Sequence, residues 1–280
     1  MIINCKEIRE KEIEKIKKTY KGGCKVAFIQ IGDNPASNVY VRNKIKLCEE
    51  VGIEVKHIQG DEETSEEALL YSIEKLNNNK NIHGIMVQLP LPKHINEQAV
   101  INAIAPEKDI DGFTNVNKGK LMIGDKTAII PCTPKGIMTI LEHQGIDLNG
   151  KNVVIAGRSN IVGKPLAQLM INAGATVTVC NSKTDIERIA TSIVTSDIFV
   201  SAIGQENYFN KAFFHWLELS EVIAIDVGVN RDKEGKLCGD IDKELYEEFK
   251  DVTSVPGGVG VMTVLEVIRN SLECYWRNKC

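Results

Sequence analysis

Apolar positions along this chain follow two rhythms that alternate almost from end to end. Lys6 to Tyr20 has helical spacing on a heavily charged background, which predicts an amphipathic surface helix. Val26-Ala27-Phe28-Ile29-Gln30-Ile31 is a short buried-type run closed by Gly32-Asp33-Asn34-Pro35, hence a strand and a turn. A helix capped by Ser37 is expected to run to Glu50, with Gly52 ending it. Ile53 to Gln59 reads as a second strand, Ser65 to Leu76 as a helix, and His83 to Leu89 as a third strand stopped by Pro90-Leu91-Pro92. A helix from Asn96 to Ile104 follows. This βαβαβα order with helical connections implies a parallel sheet covered on both faces. Between Pro106 and Pro134 the rhythm fades under repeated Pro and Gly, as expected of a linker or site loop. Helical spacing returns over Lys135–Glu142, and a strand, a helix and a strand lead to Cys180. Beyond it a helix is expected over Asp185–Thr191, strands over Asp197–Ile203 and Val222–Val227, and a helix over Lys243–Lys250. Val255 to Gly260 is a glycine-rich loop, and Thr263–Trp276 is a last amphipathic helix expected to return to the first domain. The fold class is therefore α/β: two three-layer parallel-sheet domains, the second Rossmann-like, separated by a cleft. The division is placed at 1–121 plus 261–280 against 122–260.

Composition narrows the possibilities. A 280-residue chain with 43% hydrophobic and 26% charged residues is globular, with room for about two domains. A net charge of −4, with no Arg/Lys stripe interleaved with aromatics, argues against a nucleic-acid partner. No apolar run reaches the roughly 18 residues of a membrane helix. Eight cysteines stand singly without a C-x-x-C, and the N-terminal segment is charged from Lys6 onward, so free thiols in the cytoplasm are expected. The five histidines have no ligand spacing, so no metal site is expected.

The densest chemical signal is Lys151 to Pro165, KNVVIAGRSNIVGKP. An apolar strand meets Gly157, and a helix starts near Gly163, with Pro165 suited to its first turn. A helix N-terminus placed after a glycine bend directs free amides and a positive dipole end at a phosphate. Ser159 occupies the position of the second glycine in the usual G-x-G-x-x-G fingerprint. The next strand ends in Asn181-Ser182-Lys183-Thr184, with no acid before Asp185 to accept from a ribose 2′-hydroxyl. With Arg158 on the turn, this end offers a hydroxyl and cations, which suits a 2′-phosphate: NADP over NAD.

Ligands of open parallel sheets gather beyond the carboxyl ends of the strands. In the first half these positions carry Tyr40 and Lys44, spaced i, i+4 on one helix face, then Gln88, then Asp109 and Asp111. A phenol, an amine, an amide and carboxylates would converge there.

The segments GDNPASNVYVRNKIKLCEEVGI, VQLPLPKHI, PEKDIDGFTNVNKGKL, PCTPKGIM, AGRSNIVGKP and VPGGVGVMT, in this order over nearly the whole chain, resemble the signatures of the methylenetetrahydrofolate dehydrogenase/methenyltetrahydrofolate cyclohydrolase family. The resemblance implies oxidation of 5,10-methylenetetrahydrofolate by NADP and hydrolysis of the product to 10-formyltetrahydrofolate, with tetrahydrofolate derivatives as ligands and a homodimeric assembly. It implies that Lys44 is the catalytic lysine, Gln88 its hydrogen-bonding partner, Tyr40 the ring over the aminobenzoyl group and Asp111 the carboxylate holding the pterin. Pro256, Gly257 and Gly258 fall in a loop lining the folate, and Gly157, Arg158, Ser159 and Ser182 match cofactor contacts. Ser254, Val261 and Asn181 depart from the usual proline, proline and histidine. The alternatives are a dehydrogenase without the hydrolytic step, an NADP-dependent dehydrogenase for another small metabolite such as a hydroxy acid, and a nucleotide-binding regulatory protein without turnover.

Overall fold

The computed structural model describes residues 1–214 and 218–279; His215 and Cys280, counted above among candidate ligands and thiols, lie outside the described residues. In chain order the elements are β1 (Ile2–Ile3), α1 (Cys5–Thr19), β2 (Lys25–Ile31), α2 (Pro35–Val51), β3 (Glu54–Gly60), α3 (Glu66–Asn78), β4 (Gly84–Val87), α4 (Glu97–Ala103), α5 (Asn115–Met122) and α6 (Cys132–His143). They continue with β5 (Asn152–Ala156), α7 (Gly163–Asn172), β6 (Thr176–Cys180), α8 (Ile186–Val194), β7 (Ile198–Ser201), α9 (Lys211–Phe214), β8 (Ile223–Asp226), β9 (Asn230–Arg231), β10 (Leu237–Cys238), β11 (Asp251–Thr253) and α10 (Val259–Arg277). Two compact units result, one of Glu12–Cys132 with Val264–Cys280, the other of Met1–Lys11 with Thr133–Thr263.

The Glu12–Cys132 unit is built on a parallel sheet of order β3-β2-β4. β2 lies at its centre and is almost wholly buried, as its continuous apolar run requires. β3 departs from the expectation of a sheet covered on both faces. All seven of its residues, Lys56, His57 and Gln59 among them, are wholly or partly exposed, and it is an edge strand whose outer backbone groups have no partner strand among the described residues. The apolar faces of α3 and α4 close over one side of the sheet, with Leu69, Ile73, Leu76 and Val100 in a cluster with Ala27, Ile29, Ile85 and Val87.

Local signals set the helix starts. Ser65 accepts from Ala68 N at 3.2 Å and caps α3. α2 begins earlier than expected: Asn34, not Ser37, is the cap, accepting from Ser37 N at 3.2 Å, and Pro35 takes the first helical position. The stretch expected to be irregular contains α5. Thr114 caps it, and Asn117 on its buried side donates to Pro106 O and to the Asp109 carboxylate, each at 2.9 Å. With Leu121 the one apolar residue buried beside Asn117, this helix has no apolar stripe to betray it.

The other unit holds a six-stranded parallel sheet of order β1-β11-β8-β7-β5-β6. From β5 the chain goes first to β6 on one side and then to β7 on the other, the point at which doubly wound sheets bind nucleotides. β1 was not foreseen; two residues carry no periodicity, and they become a strand by pairing with β11, Ile2 against Val252. That pairing groups the first eleven residues with the second half of the chain, where the expected boundary had put them with the first. Lys243–Lys250, expected as a helix, makes one 3-10 turn over Lys243–Leu245. Leu245, Tyr246 and Phe249 are drawn instead into the core formed with Phe199, Phe209 and Phe214.

α10 starts at Val259 and runs to Arg277. In the Glu12–Cys132 unit its fully buried Asn270 donates from Nδ2 to Ile110 O and Ile130 O, each at 2.8 Å, tying two loop strands that have no ladder of their own. Asn270→Ala removes both bonds, leaving Ile130 O without this donor while Ile110 O keeps the Cys132 thiol at 3.5 Å, and a loss of about 1–2 kcal/mol is expected. A urea midpoint equal to that of the unmodified chain would refute the tie.

Candidate active site

Lys44 sits in the third turn of α2 and is half-buried. Its Nζ donates to Gln88 Oε1 at 3.1 Å and lies 3.4 Å from Met86 Sδ. Gln88 follows the last residue of β4, yet its N–H still bonds to Ile29 O at 2.8 Å, so the sheet fixes its backbone. Its Nε2 donates to Leu89 O at 2.6 Å, which turns the amide oxygen toward the lysine. Tyr40, one turn before Lys44, is 41% exposed.

Asp111 is brought to this group by a pinned segment. Ile110 N bonds to Ile85 O at 3.2 Å, and the Asp109 carboxylate accepts from Phe113 N at 3.2 Å and Thr114 N at 2.9 Å. Gly112 has φ +69°, and a Cβ there would press into the backbone of Ile129 and Ile130. Withdrawal from water pushes the Asp111 carboxyl up to about 6, while the Lys44 ammonium pulls it down and Asp109 pushes it up. Of the two aspartates singled out in the sequence, Asp109 is structural and buried, whereas Asp111 responds to the charge of the amine. Pro256, Gly257 and Gly258 belong to the other compact unit, in the turn before α10.

In that unit the carboxyl ends of β5, β6 and β7 enclose a cavity of about 270 Å³. Gly157, Arg158, Ser159 and Ser182, all named from the sequence, line it. The glycines are required by contact. A Cβ on Gly157, at φ +125°, would run into Ala202 O, and one on Gly163 would run into Gly157 O. Ser159 explains its own presence in the glycine position: its Oγ accepts from Val162 N at 3.1 Å and Gly163 N at 3.4 Å, capping the turn into α7. Asn181 shapes the β6 turn, accepting from Lys183 N at 3.0 Å. The first acid after β6, Asp185, is committed to Arg188 N at 3.2 Å as the cap of α8.

Sequence reasoning missed the third wall. Ala202, Ile203 and Gln205, together with Tyr208 and Phe209, close the cavity from the loop after β7. The signal was present as Gly204 beyond an apolar run, but the strand was read through Ile203, two residues past its end at Ser201. Among the described residues no cluster of His, Cys, Asp or Glu could hold a metal ion, and no helix is long and apolar enough to cross a membrane.

A doubly wound unit with a nucleotide-type turn, and a second unit carrying an amine, an amide and a carboxylate, define a two-domain NAD(P)-dependent enzyme of the dehydrogenase class. Residues 3–111 match the catalytic domain, and residues 131–279 the NAD(P)-binding domain, of tetrahydrofolate dehydrogenase/cyclohydrolase. The chain belongs to this family. It is 45% identical over 273 residues to the bifunctional protein FolD of Agathobacter rectalis, covering 97% of this chain and 94% of that protein. It is 46% identical over 266 residues to the FolD of Bacillus subtilis, covering 94% and 90%. The crystal structure of FolD from Campylobacter jejuni superposes with a TM-score of 0.92 at 38% identity, over 99% of each chain. The Trypanosoma brucei enzyme, solved with NADP cofactor and an inhibitor, gives 0.87 at 35% identity over 98% and 95%.

Proposed function

We propose that the chain carries out two consecutive reactions on one-carbon folates: oxidation of 5,10-methylenetetrahydrofolate with NADP, then hydrolysis of the methenyl product to 10-formyltetrahydrofolate. The observation that carries this reading is the 3.1 Å hydrogen bond from Lys44 Nζ to Gln88 Oε1, in a chain whose relatives are bifunctional. A methenyl bridge between two nitrogens is already cationic, so its carbon needs no acid to become electrophilic. What it needs is water that is aimed and deprotonated, and an amine does this when its lone pair is free. As the water oxygen bonds to the bridging carbon, Lys44 takes a proton from it. The bond from N5 to that carbon then breaks, N5 takes up a proton, and the formyl group stays on N10. One of the two water protons ends on N5 and the other is released. Gln88 directs the amine through a neutral oxygen, which holds it without locking in a positive charge as a carboxylate would.

Tyr40 supplies a ring for the aminobenzoyl group, and Asp111 accepts from the N–H groups of the pterin. Pro256, Gly257 and Gly258 supply backbone to the folate. The cofactor would supply a hydride acceptor, and the nitrogen next to the methylene carbon would assist the loss of hydride. Gly157 and Ser159 supply its phosphate seat, and Ser182 with the exposed cations Arg158 and Lys183 receives the 2′-phosphate. The engagement of Asp185 in a helix cap supports that choice, since it leaves a bare ribose without an acceptor. The Glu12–Cys132 unit is thus assigned to folate and catalysis, and the Thr133–Thr263 unit to the cofactor. Buried cysteines outside any disulfide among the described residues, such as Cys48 and Cys274, suit a reducing cytoplasm, and the family resemblance supports a homodimer.

Lys44→Met is expected to slow hydrolysis of methenyltetrahydrofolate by about a hundredfold or more while NADP reduction persists. The decay of methenyl absorbance measures it, and an unimpaired rate refutes the role of the amine. Ser182→Asp is expected to raise KM for NADP more than KM for NAD, by about tenfold in the ratio. An unaltered ratio would remove the 2′-phosphate from this position. Since the carboxylate of Asp111 is the accepting form, affinity for a non-reactive tetrahydrofolate analogue should fall as pH drops through about 6. The fall approaches about tenfold per unit well below that pH. Asp111→Asn should remove the inflection, and calorimetric titrations over the range would detect its persistence.

A further inference from the structure

The loop that forms the third wall of the nucleotide cavity has no sheet partner beyond β7, and one side chain behind it gathers its backbone. Asp240 is completely buried and does not line the cavity. Its Oδ2 accepts from Ser201 Oγ at 2.8 Å, Ile203 N at 2.8 Å and Gly204 N at 3.3 Å. Its Oδ1 accepts from Gln205 N at 2.9 Å and Asn230 Nδ2 at 3.0 Å. Three consecutive amides, a hydroxyl and an amide side chain thus converge on one carboxylate, and all five donors are uncharged. We propose that Asp240 is a positioning residue for the cofactor, holding the Ile203–Gln205 loop against the Gly157 turn so that the cavity is preformed.

A second carboxylate supports the first. Asp226, at the end of β8, accepts from Asp240 N and Ile241 N, each at 3.0 Å, and from Gly228 N at 2.9 Å, fixing the backbone from which Asp240 projects. Two glycines make room for the pair: a Cβ on Gly228 would strike the Asp240 carboxylate, and one on Gly239 would strike that of Asp226. The loop reaches the nucleotide turn directly, because Ala202 O is the atom that forbids a side chain on Gly157. Ala202 N in turn donates to Ala156 O at 2.8 Å. An amide cannot replace the Asp240 carboxylate. Whichever oxygen became NH₂ would face two or three donors, losing those bonds and placing hydrogens against hydrogens.

The inference rests on the proposed assignment of this cavity to NADP, and the two reactions of the chain supply an internal control. Hydrolysis of methenyltetrahydrofolate uses Lys44 and Gln88 of the other compact unit and consumes no nucleotide. In the full chain, Asp240→Asn is expected to raise KM for NADP by about tenfold, with kcat of the dehydrogenase changed far less. Hydrolysis of added methenyltetrahydrofolate should stay within about twofold, and amide hydrogen exchange at Ile203–Gln205 should accelerate. A folded variant with unchanged KM for NADP overturns the proposal, as does a parallel loss of both activities. If Asp240→Asn does not fold, hydrogen exchange in the unmodified chain decides: the Ile203, Gly204 and Gln205 amides should already be protected without NADP, to within about threefold of their rate with it, and rapid exchange that only NADP slows overturns the proposal. Absence of NADP-dependent turnover in the unmodified chain would instead refute the functional assignment of the cavity.

Discussion

Buried carboxylates that accept from backbone amides shape the working edges of both sheets. Where a parallel strand ends, the chain leaves the ladder and its next amides need new acceptors, or they are buried at a cost of about 1–3 kcal/mol each. Asp109 meets that need beyond β4, accepting from Phe113, Thr114 and the Asn117 side chain. Asp226 and Asp240 meet it beyond β8 and β7. A carboxylate has lone pairs for several donors, and charge assistance offsets part of its desolvation. The balance is close at Asp226, where burial pushes the carboxyl up to about 7 against the amides that hold it down.

The segments so held present the reactive groups. In one unit the amine of Lys44 meets an amide oriented by a main-chain carbonyl, and Asp111 extends from a segment whose neighbours on both sides are pinned. In the other, the backbone approaches itself so closely at Gly157 and Gly163 that no side chain fits. The chemistry divides in the same way. Opening a methenyl cation demands one base with a controlled charge, and removing a hydride demands chiefly a well-placed acceptor.

Much of this was legible in the chain. The alternation of strand and helix rhythms gave both parallel sheets, and the turn after β5, singled out by its residue types, lines the cavity at the carboxyl ends of β5, β6 and β7. The i, i+4 spacing of Tyr40 and Lys44 was visible too, and Gln88, forty-four residues from the amine, stood out at a strand end, but its pairing with the amine was named only through the family resemblance. Less legible were the two-residue β1 and the short α5, which have little periodicity of their own, and Lys243–Lys250, whose helical spacing yields only a 3-10 turn over Lys243–Leu245.

The sequence by itself determined the α/β class, the nucleotide turn, the side chains available at the carboxyl ends of the strands and, through ordered motifs, the family. These follow from local spacing and from residue types whose chemistry is intrinsic. Only the tertiary structure decided that Asp109 is a scaffold while Asp111 senses the amine, that β1 closes the larger sheet, and that Asp240 gathers the loop beyond β7. A carboxylate looks the same in a sequence whether it meets water, an amine or three amides. What it meets is set by residues brought together from distant parts of the chain.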